Sequence, residues 1–188
     1  MTRPLFIPVI LGTPRQGRLS EHVAHFVLGE LRKREAIETA LIDIRTLALP
    51  ITDAGEALKD AHFSATMMRA DALVLVVPEY NHGYPGLLKH VLDTNLKEYI
   101  HKAVGICGIS AGALGGTRVI QNLLPVMREL GLVTIFWDGN FPSVQNVFDT
   151  NGALVDQAHL KRMDKFIKEL VWMAQTLRYG REHIPREQ

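Results

Sequence analysis

The sequence predicts an α/β protein: a five-stranded parallel sheet of order 2-1-3-4-5 with helices on both faces, a three-layer sandwich. Three observations carry this. Short apolar runs alternate with segments of helical period along the whole chain, the pattern of a parallel sheet covered on both sides. The runs 72–77 and 103–109 are apolar almost throughout, as strands buried on both faces are. Loops rich in glycine and small polar residues follow the first, third and fourth runs.

The first strand covers 6–11. Pro8 has no N–H for a ladder, but a glycine loop and a helix follow at once. Ser20 reads as the N-cap of that helix, whose apolar face is Val23, Ala24, Val27, Leu28 and Leu31. The second strand is 40–44. Residues 45–56, with Pro50 and Gly55, read as loop, and 58–69 as a weakly patterned helix. The third strand, 72–77, leads through 78–86 into a short helix ending near Asn95, with Leu87, Leu88, Val91 and Leu92 at helical spacing. The fourth strand, 103–109, leads through 110–116 into a helix over 117–130, and Gly131 suits its C-terminal cap.

The fifth strand is 133–137. Residues 138–152 read as irregular; the turn Asp149-Thr150-Asn151-Gly152 lacks the further ligands and closing Glu of a calcium loop. The last helix spans 157–179 on the period of Leu160, Met163, Phe166, Ile167, Leu170, Val171, Ala174 and Leu177, and the polar tail 180–188 frays. Without a repeat or an internal linker, residues 1–188 form one domain.

Composition narrows the function classes. Hydrophobic content of 47% and charged content of 22% are globular values. A net charge of +1, with both signs mixed along the chain, argues against a nucleic-acid binder working through a basic face. The single cysteine, Cys107, excludes an intrachain disulfide or a multi-cysteine metal site and sits in an apolar run, as a small buried hydrophobe does. There is no signal-peptide pattern and no apolar stretch of membrane-spanning length, so the expected location is cytoplasmic with no membrane partner.

Three loops carry the chemistry. The first, Gly12-Thr13-Pro14-Arg15-Gln16-Gly17-Arg18-Leu19-Ser20, joins a strand to a helix, where free N–H groups and the helix dipole favour an anion. Thr13 and Ser20 add hydroxyls, and Arg15 and Arg18 add charge suited to bidentate phosphate contact. Gly12 and Gly17 have Walker A spacing, but Arg18-Leu19 stands where Lys-Ser/Thr is required, and the dinucleotide fingerprint is absent. The second loop, Pro78-Glu79-Tyr80-Asn81-His82-Gly83-Tyr84-Pro85-Gly86, packs aromatic and amide groups among backbone breakers, a rigid wall for a flat ligand. Glu79 and His82 could also serve as acid and base. The third, Ser110 to Gly116, is small enough for a ligand to approach the backbone. In a 2-1-3-4-5 sheet all three meet at the switch point, a phosphate loop beside two loops suited to a ring.

The first loop resembles the G-S/T-x-R-x-G-R loop of the NADPH-dependent FMN reductase family, and 78–89 is similar to its P-E-Y-N-x-x-Y-P-G-x-L-K signature. Ser110-Ala111-Gly112 with Gly115-Gly116 is similar to its third flavin loop. The resemblance covers about 6–137 and implies a flavodoxin-like fold, FMN as cofactor, and NADPH or NADH as co-substrate. It implies Thr13, Arg15, Arg18 and Ser20 at the FMN phosphate. Pro78, Glu79, Tyr80, Asn81, His82 and Gly83 then lie along the isoalloxazine ring, with Ser110, Ala111, Gly112 and Gly115 at its other edge. It further implies a small-molecule electron acceptor (quinone, free flavin, azo dye or metal oxyanion), ping-pong turnover, no catalytic protein side chain and no metal. The quaternary state it implies is a homodimer or homotetramer. Many members carry a Trp and acidic residues where Leu96-Lys97-Glu98-Tyr99 stand here. Two rival readings are a flavin-binding electron carrier or redox sensor, and a flavin-free hydrolase using Glu79 and His82.

Overall fold

A computed structural model describes residues 3–52 and 55–185. Its strands are β1 (Leu5–Phe6), β2 (Val9–Leu11), β3 (Ile37–Glu38), β4 (Leu41–Asp43), β5 (Ala72–Pro78), β6 (Lys102–Ile109), β7 (Leu132–Thr134) and β8 (Gly139–Phe141). Its helices are α1 (Ser20–Arg32), α2 (Ala61–Arg69), α3 (Gly86–Asp93), α4 (Thr117–Glu129) and α5 (Ala158–His183). The main sheet runs β4-β2-β5-β6-β7, all parallel, with β8 also pairing β6. The fold is α/β and flavodoxin-like, but the sheet has six strands beside a two-stranded β1–β3 piece rather than five unbroken strands.

The breaks have local causes. Pro8 separates β1 from β2, since it cannot donate to the ladder, although its carbonyl still accepts the Val74 N–H at 3.0 Å. Opposite it, Thr39 turns its hydroxyl onto the Ile7 carbonyl at 2.7 Å, between β3 and β4. The expected fifth strand ends at Thr134; Phe136 and Trp137 leave the ladder and are 78% and 43% exposed. The chain rejoins β6 as β8 inside the stretch read as irregular.

Every residue of β5 and β6 is buried, and the sheet divides the core in two. One cluster lies under α1 and α5, the other under α2, α3 and α4. At about 1.5–3 kcal/mol per fully buried Val, Leu or Ile, these clusters are the main stabilising term. Cys107 lies within β6 against Gly139, and burial pushes its thiol pKa up, with Asp138 adding to the shift.

Other boundaries also shift. The 45–56 loop overlaps short 3₁₀ turns at Ile44–Thr46 and Gly55–Leu58, while Asp53 and Ala54 lie outside the described residues. Asp60 caps α2 through the Phe63 N–H, so the helix starts three residues later than read. Ser20 is not the N-cap of α1: Leu19 is already helical, at φ −69° and ψ −17°, so Ser20 falls in the first turn. Gly131, at φ +70°, takes the left-handed position after α4. Leu160 is 36% exposed at the start of α5. That helix runs on through Gly180 to His183 rather than fraying there, held by Arg178 and Arg181, which reach the Arg3 and His101 carbonyls at 3.0 and 2.6 Å. Residues 186–188 lie outside the described residues. Among the described residues no helix is long and apolar enough to cross a membrane.

Candidate functional site

A crevice of about 290 Å³ opens at the carboxyl ends of β2, β5 and β6, where open α/β sheets bind ligands. Arg15, Gly17, Arg18, Leu19 and Ser20 line it from the first loop, Pro78, Glu79 and Tyr80 from the second, and Ser110 and Ala111 from the third, with Ile109 and Val144 completing it. A larger hollow of about 540 Å³ lies between α2 and the β3–β4 edge, lined in part by Glu38, His62 and Arg69. It is away from the strand ends that gather the three loops, so its size does not make it the better candidate.

The second loop is a two-residue hairpin. Tyr80 and Gly83 exchange backbone hydrogen bonds, both 2.9 Å. Asn81 and His82 between them stand at φ +49° and +65°, the signature of a type I′ turn, for which Asn is well suited. The turn is braced from α4: Asn122 donates to the His82 carbonyl at 2.6 Å, and the Arg118 N–H donates to the Glu79 carboxylate at 3.2 Å. Asn81, His82 and Gly83 therefore form the turn beyond the lining rather than the wall itself.

The first loop is held from several sides. Thr13 is fully buried; its hydroxyl lies 3.0 Å from the Tyr80 hydroxyl, joining the first loop to the second, and accepts the Arg15 N–H at 3.3 Å. The exposed Arg15 guanidinium stands 4.4 Å over the Tyr80 ring, a cation–π contact. Arg18 is drawn inward, its side chain only 2% exposed, bonded to the Thr13 carbonyl and in a two-pronged pair with Asp43. Burial opposes ionisation of Asp43, but the Arg18 hydrogen bond, the Arg45 N–H and both arginine charges outweigh it and hold the carboxyl below its ordinary value.

The third loop is set by close approach. Gly116, at φ +76°, packs so tightly on β6 that a Cβ there would come 2.3 Å from the Ile109 nitrogen. Gly115 sits against Pro142, and the Gly112 carbonyl accepts the Ser143 N–H at 3.0 Å and the Ser110 hydroxyl at 2.9 Å. Gly112 and Gly115 thus shape the lip without lining the crevice.

The donor set suits an anion. The Ser20 hydroxyl is buried with no hydrogen-bond partner among the described residues, while the buried Arg18 Nε faces the Glu21 carboxylate at 3.5 Å. The N–H groups of Gln16, Gly17 and Leu19 likewise find no acceptor among them. Uncommitted donors beside a helix N-terminus fit a phosphate. No group of three or more His, Cys, Asp or Glu among the described residues could hold a metal ion. The Glu79 carboxylate is engaged by Arg118, not by His82. Of the residues singled out by sequence, Arg15, Arg18, Ser20, Pro78, Glu79, Tyr80, Ser110 and Ala111 meet at the crevice. Asp43, Arg118, Asn122 and Val144 carried no sequence signal, because each acts from another element.

The protein is flavodoxin-like, with a crevice at the carboxyl ends of β2, β5 and β6 whose donor set suits an anion. Residues 6–141 match the NADPH-dependent FMN reductase family. The chain belongs to that family, whose members take FMN as cofactor and NAD(P)H as electron donor. It is 29% identical over 120 residues to an NADPH azoreductase of a Bacillus species, covering 61% of this chain and 64% of that protein. It is 27% identical over 120 residues to the NADH:(hydroxy)cinnamate reductase subunit CrdA of Vibrio ruber, covering 61% and 59%. The chain thus spans less than two thirds of either relative. A 2-hydroxy-1,4-benzoquinone reductase of a Burkholderia species is 28% identical over 182 residues, covering 90% and 96%. The solved structure of FerB from Paracoccus denitrificans, a flavoenzyme NAD(P)H:(acceptor) oxidoreductase, superimposes with TM-score 0.75 at 20% identity over 92% of this chain and 98% of that one, a likeness of fold.

Proposed function

We propose that the chain is an FMN-dependent NAD(P)H oxidoreductase reducing a small-molecule acceptor (a quinone, free flavin, azo dye or metal oxyanion) by ping-pong turnover. We place it in the cytoplasm as a homodimer or homotetramer of single-domain subunits. The observation that carries the reading is the convergence of an anion-suited loop and two backbone-shaped loops on one crevice. The names of the azoreductase and benzoquinone reductase relatives support the acceptor class.

FMN held here would supply the chemistry of hydride acceptance from NAD(P)H and electron delivery to the acceptor. The chain binds and orients. Thr13, Arg15, Arg18, Ser20 and the free N–H groups of the first loop form the phosphate end. Pro78, Glu79 and Tyr80 form one wall for the ring, extended by the turn of Asn81, His82 and Gly83, and Ser110, Ala111, Gly112 and Gly115 form the facing lip. No side chain is assigned a proton-transfer step.

Titration with FMN, followed by flavin fluorescence quenching, should saturate at one flavin per chain. NADPH or NADH should then bleach the yellow protein without oxygen, and quinones or azo dyes should restore the colour. Parallel double-reciprocal lines would report the ping-pong order. A protein that neither binds FMN nor gains reductase activity when FMN is added would end this reading.

A further inference from the structure

We propose that Asp43 is a positioning residue for the phosphate loop, acting through Arg18. The inference rests on the reading of 13–20 as the phosphate end of an FMN site. Asp43 ends β4, a strand the ligand-binding loops do not use, and it pairs in register with Leu11, the last residue of β2. From there its carboxylate meets the inturned Arg18 guanidinium, with Oδ1 2.9 Å from Nη1 and Oδ2 bonded to Nη2.

The same Nη1 donates to the Thr13 carbonyl. The guanidinium therefore closes the loop between residues 13 and 18 onto itself and anchors it to the neighbouring strand. Asp43 is itself held, since it accepts the Arg45 N–H at 3.0 Å and one Arg45 guanidinium nitrogen at 3.3 Å. Nε, the remaining part of the fork, lies 3.5 Å from Glu21 on α1.

A buried guanidinium needs a fixed counter-charge, and a carboxylate matches its planar fork. With that match, the loop carrying the free N–H groups is shaped before any ligand arrives, so binding spends less free energy on ordering it. Without it, Arg18 turns toward water and the loop loosens. The effect falls on the phosphate end alone, because 78–83 and 110–116 are held by α4 and β6.

The test compares FMN with riboflavin, which lacks the phosphate. In a folded Asp43→Asn protein, FMN affinity should fall about tenfold, the scale of one lost charge-assisted contact, while riboflavin affinity stays within about twofold by the same scale. Asp43→Glu should recover part of the loss, and Arg18→Gln/Asp43→Asn should bind FMN no more weakly than Arg18→Gln alone. In the flavin-free protein, trypsin should cut after Arg15 faster in Asp43→Asn than in wild type. Arg45→Ala, which removes only the 3.3 Å side-chain contact and keeps both the Arg45 N–H bond and the Arg18 pair, should weaken FMN less than Asp43→Asn does.

Unchanged FMN affinity in Asp43→Asn, equal weakening of both flavins, or full additivity with Arg18→Gln would overturn the proposal. Should Asp43→Asn fail to fold, Asp43→Glu provides the comparison against wild type: it keeps the charge, misplaces the fork and should weaken FMN several-fold by the same scale while leaving riboflavin affinity unchanged, and an unchanged FMN affinity there would overturn the proposal. A wild-type protein that does not bind FMN removes the proposed function itself. A wild type that binds with an indifferent Asp43→Asn removes only the strut.

Discussion

The two loops that meet at Thr13 and Tyr80 are made rigid in opposite ways. The 78–86 loop carries its shape in its own backbone: two left-handed residues, Asn81 and His82, are clasped by the Tyr80–Gly83 exchange. The 12–20 loop has no such backbone clasp, and the bonds that close it pass through the side chains of Thr13 and Arg18. Its form comes from outside, from Asp43 on β4 through Arg18 and from Tyr80 through Thr13. A loop of the first kind is written in adjacent residues, whereas one of the second kind depends on a partner 25 positions away.

If the first loop depends on an external strut, Arg18→Ala should be the most damaging change here. It strands the Asp43 carboxylate, whose side chain is 18% exposed, and should cost about 3 kcal/mol in urea unfolding, toward the low end for broken buried pairs. A loss below about 1 kcal/mol would mean that water replaces the arginine easily. The internally framed loop should instead respond to backbone preference. Asn81→Val forces a β-branched residue to φ +49° and should cost about 2 kcal/mol, while Asn81→Gly should stay within about 0.5 kcal/mol of wild type; thermal melts separate the two.

The link between the loops should be weaker. Tyr80→Phe removes the 3.0 Å contact with Thr13 and should cost about 1 kcal/mol, with a several-fold rise in FMN Kd and the hairpin intact. Acid should act on the first loop only slightly until low pH. The folded Asp43 carboxyl lies below its ordinary value. Its stabilisation is thus fully present above the unfolded pKa of about 4 and is lost as pH falls through the lower folded value. In Asp43→Asn that acid step should vanish from a pH series of unfolding midpoints.

The same contrast explains what could be read from sequence. The layered α/β fold, the four strand–helix–strand crossovers and the 78–86 loop were legible because apolar runs, helical periods and turn residues are local signals. The split of the first strand was foreshadowed by Pro8. The departure of Phe136 and Trp137 from the sheet was not, because both are strand-forming residues and only the β8 pairing shows where the ladder resumes. Ser20 looked like a cap by residue type, yet Leu19 begins the helical turn one residue earlier. Arg18 looked like an open phosphate ligand because its partner stands on another strand.

Cys107 illustrates a different kind of protection. The only thiol of the chain is sealed in β6 against Gly139, with its ionisation suppressed by burial. Quinones and other electrophiles alkylate thiolates far faster than neutral thiols, so a protein that meets them is safer without an exposed, ionised cysteine. Here the one side chain most open to such adduct formation is neither ionised nor reachable, and inactivation by that route should require the sheet to open first.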